Sequence, residues 1–338
     1  MKNTKETLLQ VKNLEVTYHT RLGAVSAVAD VSFDVYRGEI LGLVGESGCG
    51  KSTMGKALMR LISPPGEISG GQIILNGEDI LNYNEDQMRD IRGRRVSMIF
   101  QDPMTSLNPV QRIDQHGIEA IEVHEPKTKL DQALERVTKL FERLGIQKRR
   151  LTDYPHQLSG GMRQRVMIGL GLALNADLII ADEASTSLDV IVEAKLADQL
   201  REIRDEFGVT LIVITHNIAL VAELADRIAV MYAGRMVELG EVHEVFDNPL
   251  HPYTQGLLAS VPNIELNERE ELYKMSGEPP NLTHPPTGCR FHPRCPKAMD
   301  ICSRYQPSFQ EVSPGRFVHC WLYQDHPEKD SPTIKVAA

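Results

Sequence analysis

Gly45-Glu46-Ser47-Gly48-Cys49-Gly50-Lys51-Ser52 follows directly on the apolar run Ile40 to Val44 and opens a segment of helical character, Lys51 to Leu61. The spacing is G-x-x-x-x-G-K-[ST], placed between a strand and a helix. Glycines let a backbone wrap around phosphate oxygens without Cβ clashes. Successive N–H groups and the helix N-terminus then supply positive potential. Lys51 adds a formal charge toward the β- and γ-phosphates, and the Ser52 hydroxyl is placed to ligate Mg²⁺. Gly45, Ser47, Gly48, Cys49, Gly50, Lys51, Ser52 and Thr53 therefore form a candidate cradle for ATP with Mg²⁺. The plainer alternative is a glycine-rich turn with a solvated lysine, which the strand–loop–helix context disfavours. Cys49, near Lys51 and a helix start, is expected to have a lowered pKa and to make ATP binding sensitive to thiol reagents; otherwise it only fills the loop.

Working outward, four more short apolar runs read as buried strands: Ser97 to Phe100, Leu178 to Ala181, Leu211 to Thr215 and Ile228 to Tyr232. Continuous rather than alternating apolar runs suit a parallel sheet covered on both faces. Helical segments lie between them, such as Val192 to Phe207 with Leu196, Leu200 and Ile203 inward. The alternation predicts an α/β domain with a doubly wound sheet. Residues 8 to 37 instead alternate apolar and polar around Arg21-Leu22-Gly23, which predicts an antiparallel β layer. Residues 111 to 157 are charged, helix-prone and without strand signals, as in Lys129 to Leu144, within a helical subdomain of about 102–165. After residue 248 prolines and cysteines multiply and periodicity fades. The expected boundary divides 1–248 from a C-terminal extension, 249–338.

The ends of the predicted strands carry chemistry. In parallel sheets ligands sit beyond the carboxyl ends of strands, and Leu178 to Ala181 ends in Asp182-Glu183. Asp182 is expected to hold Mg²⁺ and Glu183 to polarise the attacking water as general base. His216, after Leu211 to Thr215, is placed to contact the γ-phosphate; Gln101, after Ser97 to Phe100, is placed to reach Mg²⁺ or the water. Each is a weak signal alone, since an acidic loop or a capped histidine is common after a buried strand. Their convergence on one sheet edge is what makes them a candidate set.

Leu158-Ser159-Gly160-Gly161-Met162-Arg163-Gln164-Arg165 resembles the signature motif of ABC ATPases, and with Lys51, Gln101, Asp182, Glu183 and His216 the first 240 or so residues resemble an ABC nucleotide-binding domain. The resemblance implies a P-loop NTPase fold with a parallel core sheet, an antiparallel β subdomain and a helical subdomain, followed here by a cysteine-containing C-terminal extension. It implies that Tyr18 stacks on adenine, that the Ser187-Leu188-Asp189 loop touches an opposing subunit, and that Ser159, Gly160 and Gly161 approach ATP held by a partner. A Ser-Gly-Gly turn opening a helix offers N–H donors and a dipole to an anion, which suits a head-to-tail dimer. The family usually has proline after the catalytic glutamate; this chain has Ala184, which keeps the carboxylate.

His251-Pro252-Tyr253-Thr254-Gln255-Gly256-Leu257-Leu258 and Gly288-Cys289-Arg290-Phe291-His292-Pro293-Arg294-Cys295-Pro296 resemble the extension of the dipeptide/oligopeptide (peptide/nickel) importer subfamily. That implies ATP hydrolysis coupled to uptake of peptides or a related solute. It also implies a second ATPase subunit, by resemblance a paralogue, two membrane-spanning permeases and an extracytoplasmic solute-binding protein. A soluble ABC ATPase acting on nucleic acid or ribosomes is the rival reading, without the paired ATPase units or long coiled-coil insertion such proteins usually carry.

Composition agrees with that direction. The net charge of −9 argues against a nucleic-acid partner. No apolar stretch follows the first lysines, and no run approaches the roughly 18 apolar residues of a membrane span. The expectation is a cytosolic chain held at the cytoplasmic face of the membrane by its partners. Of the five cysteines, Cys289, Cys295, Cys302 and Cys320 cluster in the tail. In a reducing compartment such a group reads as a metal or cluster site. Four thiolates suit Zn²⁺ or iron–sulfur; the subfamily resemblance implies a [4Fe–4S] cluster, with zinc, free thiols or disulfides as the alternatives.

Overall fold

The computed structural model describes residues 6–100, 106–182, 190–260 and 275–325; side chains of 190–196 lie outside that description. The chain forms two compact units. One comprises Thr7–Val35, Ile40–Leu81 and Thr215–Ala338 and contains the glycine-rich loop; the other comprises Met1–Glu6, Tyr36–Glu39 and Asn82–Ile214 and is mostly helical.

The loop unit begins with β1 (Thr7–Thr20) and β2 (Gly23–Tyr36), which meet at the Arg21-Leu22 turn, as the alternating pattern predicts. Inward Leu9, Val11, Leu14, Val16, Val28, Val31 and Val35 are buried, while the turn residue Leu22 is 85% exposed. The strand β3 (Ile40–Val44) is buried throughout, matching its continuous apolar run. The helix α1 (Lys51–Leu58) follows the loop. A strand that the sequence did not announce, β4 (Gly66–Leu75), pairs antiparallel with β1, Leu9 opposite Leu75 and Val11 opposite Ile73. With the two-residue β5 (Glu78–Asp79) the layer runs β2-β1-β4-β5. Glycine and polar residues at Gly66 to Gly71 dilute the strand signal of β4.

The helical unit contains β6 (Val96–Ile99), β7 (Leu178–Asp182) and β8 (Thr210–Ile214), each buried and paired in parallel in the order β8-β7-β6. Met98 faces Ile180 in register, and Ile180 faces Ile212. Helices Ile113–His124 and Leu130–Arg143 lie in the stretch read as a helical insertion, Gly160–Leu172 follows it and runs past the expected subdomain end, and Ala133, Val137 and Phe141 form the buried stripe of the second. Helix Val190–Phe207 buries Ala197, Leu200 and Ile203.

Back in the loop unit, β9 (Arg227–Tyr232) lies parallel to β3 and antiparallel to β10 (Arg235–Glu241). The tail is more regular than its fading periodicity suggests. Helix Pro252–Ala259 is followed later by β11 (Gln310–Ser313) and β12 (Arg316–Val318), a hairpin that extends the sheet as β11-β12-β10-β9-β3. Strands of three and four residues are too short for alternation to register.

A buried charge fastens this hairpin. Glu238 on β10 is fully buried; it accepts from the Arg316 guanidinium at 3.0 Å and from the backbone N–H groups of Leu250 and His251 at 2.8 and 2.9 Å. Arg316 also donates to the carbonyls of Glu244 and Asn248. The pair persists at depth because the carboxylate and both terminal guanidinium nitrogens have partners, only the Arg316 Nε being left without one.

Two buried histidines add a pH dependence. His251 caps helix Pro252–Ala259: its Nδ1 accepts from the Tyr253 N–H at 3.0 Å, which requires an unprotonated nitrogen. Burial, with His319 nearby, pushes its pKa down to about 3. Burial, with Arg235 nearby, pushes His319 down to about 4. In the unfolded chain both titrate near 6.5. Below that pH the unfolded chain binds protons that the folded chain refuses, so stability falls as pH drops from 6.5 and is untouched by these groups above it. Unfolding measured from about pH 6.5 to about pH 5 is expected to show stability falling ever more steeply, the slope approaching roughly 1.4 kcal/mol per pH unit for each histidine near pH 5. A flat profile in that window would contradict the buried neutral state.

Candidate functional site

The glycine-rich loop is built by close approach. Gly45 has φ 152° and Gly50 φ 105°, backbone that side chains avoid. A Cβ on Gly45 would sit 2.2 Å from the Met231 carbonyl oxygen, and one on Gly50 2.2 Å from that of Ala27. The Gly234 N–H donates to the Cys49 carbonyl at 2.8 Å, tying the loop to the turn after β9. Ser47 and Gly48 are exposed at the tip, whereas Gly45 and Cys49 are buried. At the start of α1, Gly50 makes no side-chain cap and no acidic residue occupies the first turn, so N–H groups and dipole are left for an anion.

Lys51 is 4% exposed, and its ammonium is folded back onto the loop, donating to the carbonyls of Gly45 at 2.7 Å and Glu46 at 3.1 Å. A buried cation satisfied by carbonyls rather than by a carboxylate keeps its full charge for an incoming anion. Ser52 and Thr53 stand half-buried in the first helical turn. His216, in the same unit, is exposed just past Thr215, whose N–H donates to the Leu43 carbonyl at 3.2 Å. That bond sets His216 beside the carboxyl end of β3, where the loop begins. Tyr18 is half-buried on β1 opposite Gly66, and a Cβ there would lie 2.5 Å from the ring.

In the helical unit Asp182 ends β7 and is 5% exposed. Hard oxygen donors such as the Asp182 carboxylate and the Ser52 hydroxyl are the class that fits Mg²⁺. Ser159 caps helix Gly160–Leu172, its hydroxyl accepting from Met162 N–H at 3.4 Å. Open space surrounds the α-carbons of Gly160 and Gly161, so this helix start is clear of packing. Gln101, Glu183 and Asp189 lie outside the described residues.

One expectation needs correction. Cys49 is 4% exposed, and burial pushes its thiol up from the usual range, outweighing the nearby Lys51 ammonium. For the cysteine tail, the described residues lend no support to the expected [4Fe–4S] cluster or to the zinc alternative. Among the described residues no group of three or more His, Cys, Asp or Glu is arranged to hold a metal ion. The four thiols form no disulfide; Cys302 and Cys289 pack with Met299, Ile301, Trp321 and Leu322, and Cys295 with the cluster around Tyr253 and Phe291. Burial raises Cys289 to about 12 and Cys295 to about 11, and pushes Cys302 and Cys320 up as well.

Sequence reading missed the partners of Glu46. Its backbone N–H donates to the Tyr253 hydroxyl at 2.9 Å, and its carboxylate receives both terminal nitrogens of Arg294 at 2.8 and 3.0 Å. Both partners lie in the segments quoted above for the subfamily resemblance, but nothing in their local sequence points to the loop.

Comparison with known proteins finds two families along the chain. The ABC transporter family matches residues 28–186, and the family described as the oligopeptide/dipeptide transporter C-terminal region matches 237–302. The dipeptide transport ATP-binding protein DppD of Bacillus subtilis (strain 168) is 44% identical, covering 96% of this chain and 97% of its own. The oligopeptide transport ATP-binding protein OppD of Escherichia coli (strain K12) is 45% identical over 94% and 93%. Among solved structures, cbiO1 from Clostridium perfringens, part of the ABC transporter complex cbiONQ, superposes with a TM-score of 0.62 at 27% identity, covering 72% of this chain and 92% of its own. The dimeric ATP-binding cassette MJ0796 bound to ADP and Pi shares the fold at a TM-score of 0.62 and 24% identity, over 70% of this chain and 99% of its own.

In the native chain at neutral pH, Cys49 is expected to resist iodoacetamide and ATP turnover to survive the treatment, whereas the urea-unfolded chain reacts at all five cysteines. Mass spectrometry of the Cys49 peptide checks this. Rapid native labelling would overturn the buried, neutral thiol.

Proposed function

The chain belongs to the ATP-binding proteins of the oligopeptide and dipeptide ABC transporters, and from that premise we propose that it energises uptake of di- or oligopeptides, or a related solute, through partner permeases. As a member of that family it is an ATPase. The observation that carries the peptide reading is the near-full-length identity, C-terminal region included, to proteins named for dipeptide and oligopeptide transport. A soluble ATPase working on nucleic acid or ribosomes is not favoured, because these relatives are transport proteins.

In the proposed mechanism the loop N–H groups and Lys51 hold the β- and γ-phosphates. Ser52, Asp182 and Gln101 would hold Mg²⁺, which when bound neutralises phosphate charge. Glu183 takes a proton from the attacking water and His216 contacts the γ-phosphate. Tyr18 stacks on adenine. The open helix start at Ser159-Gly160-Gly161 receives the γ-phosphate of a nucleotide held by a second ATPase subunit, and Asp189 lies at that junction. The full set of proposed partners is a paralogous ATPase, two permeases and an extracytoplasmic binding protein. None of the described helices is long and apolar enough to cross a membrane, so the permeases are proposed to hold this subunit peripherally at the cytoplasmic face, and closure of the ATPase pair is passed to them through the Gln101 region.

In the assembled transporter Glu183→Gln is expected to retain ATP binding while losing turnover by on the order of 10²-fold or more. Lys51→Ala is expected to weaken ATP binding itself, by at least roughly tenfold. Nucleotide titration, ATPase rate and labelled-peptide uptake check these outcomes; uptake that persists without hydrolysis would sink the coupling.

A further inference from the structure

The contacts of Glu46 reach in three directions. Its backbone N–H donates to the Tyr253 hydroxyl at 2.9 Å. Its carbonyl accepts from Lys51 Nζ at 3.1 Å and from the Cys49 N–H at 3.3 Å. Its carboxylate is gripped by Arg294 in a two-pronged ion pair, 2.8 and 3.0 Å, with side-chain exposures of 6% for Arg294 and 25% for Glu46. One residue of the phosphate loop therefore connects the lysine of that loop to two residues of the C-terminal extension, and all of these groups lie in the same unit.

The extension's side of this junction is rigid. Tyr253 packs against Tyr232 with ring centroids 4.6 Å apart and against Phe291 at 5.5 Å, and Phe291 meets Tyr232 edge-on at 5.1 Å. Arg294 is oriented by the Ser276 carbonyl at 3.1 Å and the Tyr232 hydroxyl at 3.3 Å, so its guanidinium plane is set before it meets Glu46. Four positions along, toward the N-terminus, Arg290 donates to the Ala233 carbonyl. Ala233 precedes Gly234, whose N–H holds the Cys49 carbonyl. The extension thus fixes the loop at Glu46 directly and at Cys49 through the turn after β9.

A phosphate-binding loop has a reason to need this. Glu46 brings a negative charge to a site meant for a polyanion, and left unpaired it would repel the phosphates. A bidentate guanidinium cancels that charge and also fixes its direction, which a lysine does less well. We propose that Arg294 and Tyr253 are positioning residues of the nucleotide site: they neutralise and anchor Glu46, and through its carbonyl set where the Lys51 ammonium stands. The C-terminal extension is then part of the ATP-binding apparatus, and a displacement of the extension by a partner subunit would be felt as a change in nucleotide affinity. The proposal rests on the reading of the loop as an ATP site.

The test is titration of the full chain with a fluorescent ATP analogue and Mg²⁺, together with steady-state hydrolysis by the assembled transporter and a thermal melt of every variant. Arg294→Ala is expected to weaken binding about tenfold, equivalent to about 1.4 kcal/mol, and to raise KM while kcat changes less than about twofold. Arg294→Lys, which keeps the charge and loses the fork, is expected to recover part of that loss. Adding Glu46→Gln to Arg294→Ala is expected to bring binding back toward wild type, because the unpaired carboxylate is gone. Tyr253→Phe, which keeps the aromatic packing and frees the Glu46 N–H, is expected to weaken binding without lowering the melting temperature as much as Tyr253→Ala. If Arg294→Ala only lowers the melting temperature, or if the double variant binds more weakly than Arg294→Ala, the residue is a staple of the fold and the proposal is wrong. Failure of the wild-type chain to bind the analogue would instead overturn the ATP site itself.

Discussion

The molecule turns on a conflict between backbone and solvent at the loop after β3. Several N–H groups must be left without protein partners so that an anion can use them, yet unpaired polar groups destabilise a buried backbone. The chain resolves this by pressing the loop between the carbonyls of Met231 and Ala27, at distances only glycine tolerates, and by turning Lys51 inward onto the carbonyls of Gly45 and Glu46. The loop is held largely through its acceptors, with the Glu46 N–H on Tyr253 and the Cys49 N–H on the Glu46 carbonyl as donors already engaged. β3 and β9 supply the straight parallel pair from which this geometry springs, Val44 opposite Val230.

Features whose cause is local were legible in the sequence. The buried strands were visible because a strand covered on both faces has no polar alternation to hide it, and β3 falls on the run Ile40 to Val44. The phosphate loop was visible because glycine, lysine and serine are required there by chemistry that acts over eight residues. What escaped was non-local. Glu46 and Arg294 are 248 positions apart, and neither one's neighbours call for the other. β4, β11 and β12 escaped because glycine dilution and short length remove the pattern on which strand prediction depends.

The cysteines show how burial overrides a sequence-level electrostatic argument. Near a lysine and a helix start, Cys49 reads as acidified; with its side chain enclosed, desolvation of the thiolate outweighs the lysine's attraction. Burial likewise pushes up the thiols of the tail cysteines. Spacing alone cannot report how much water remains around a sulfur. The histidine at the start of helix Pro252–Ala259 obeys the rule in reverse: burial keeps it neutral, and neutrality is what lets it cap.

Glu238 has a consequence for how the chain is made. Its carboxylate is fully buried on β10, yet its arginine partner lies 78 positions later in β12. While synthesis has passed β10 but not reached Arg316, closing the edge of that sheet would enclose an uncompensated negative charge, so the edge is discouraged from sealing early. The buried pair is thus completed only once the hairpin that carries Arg316 has been made.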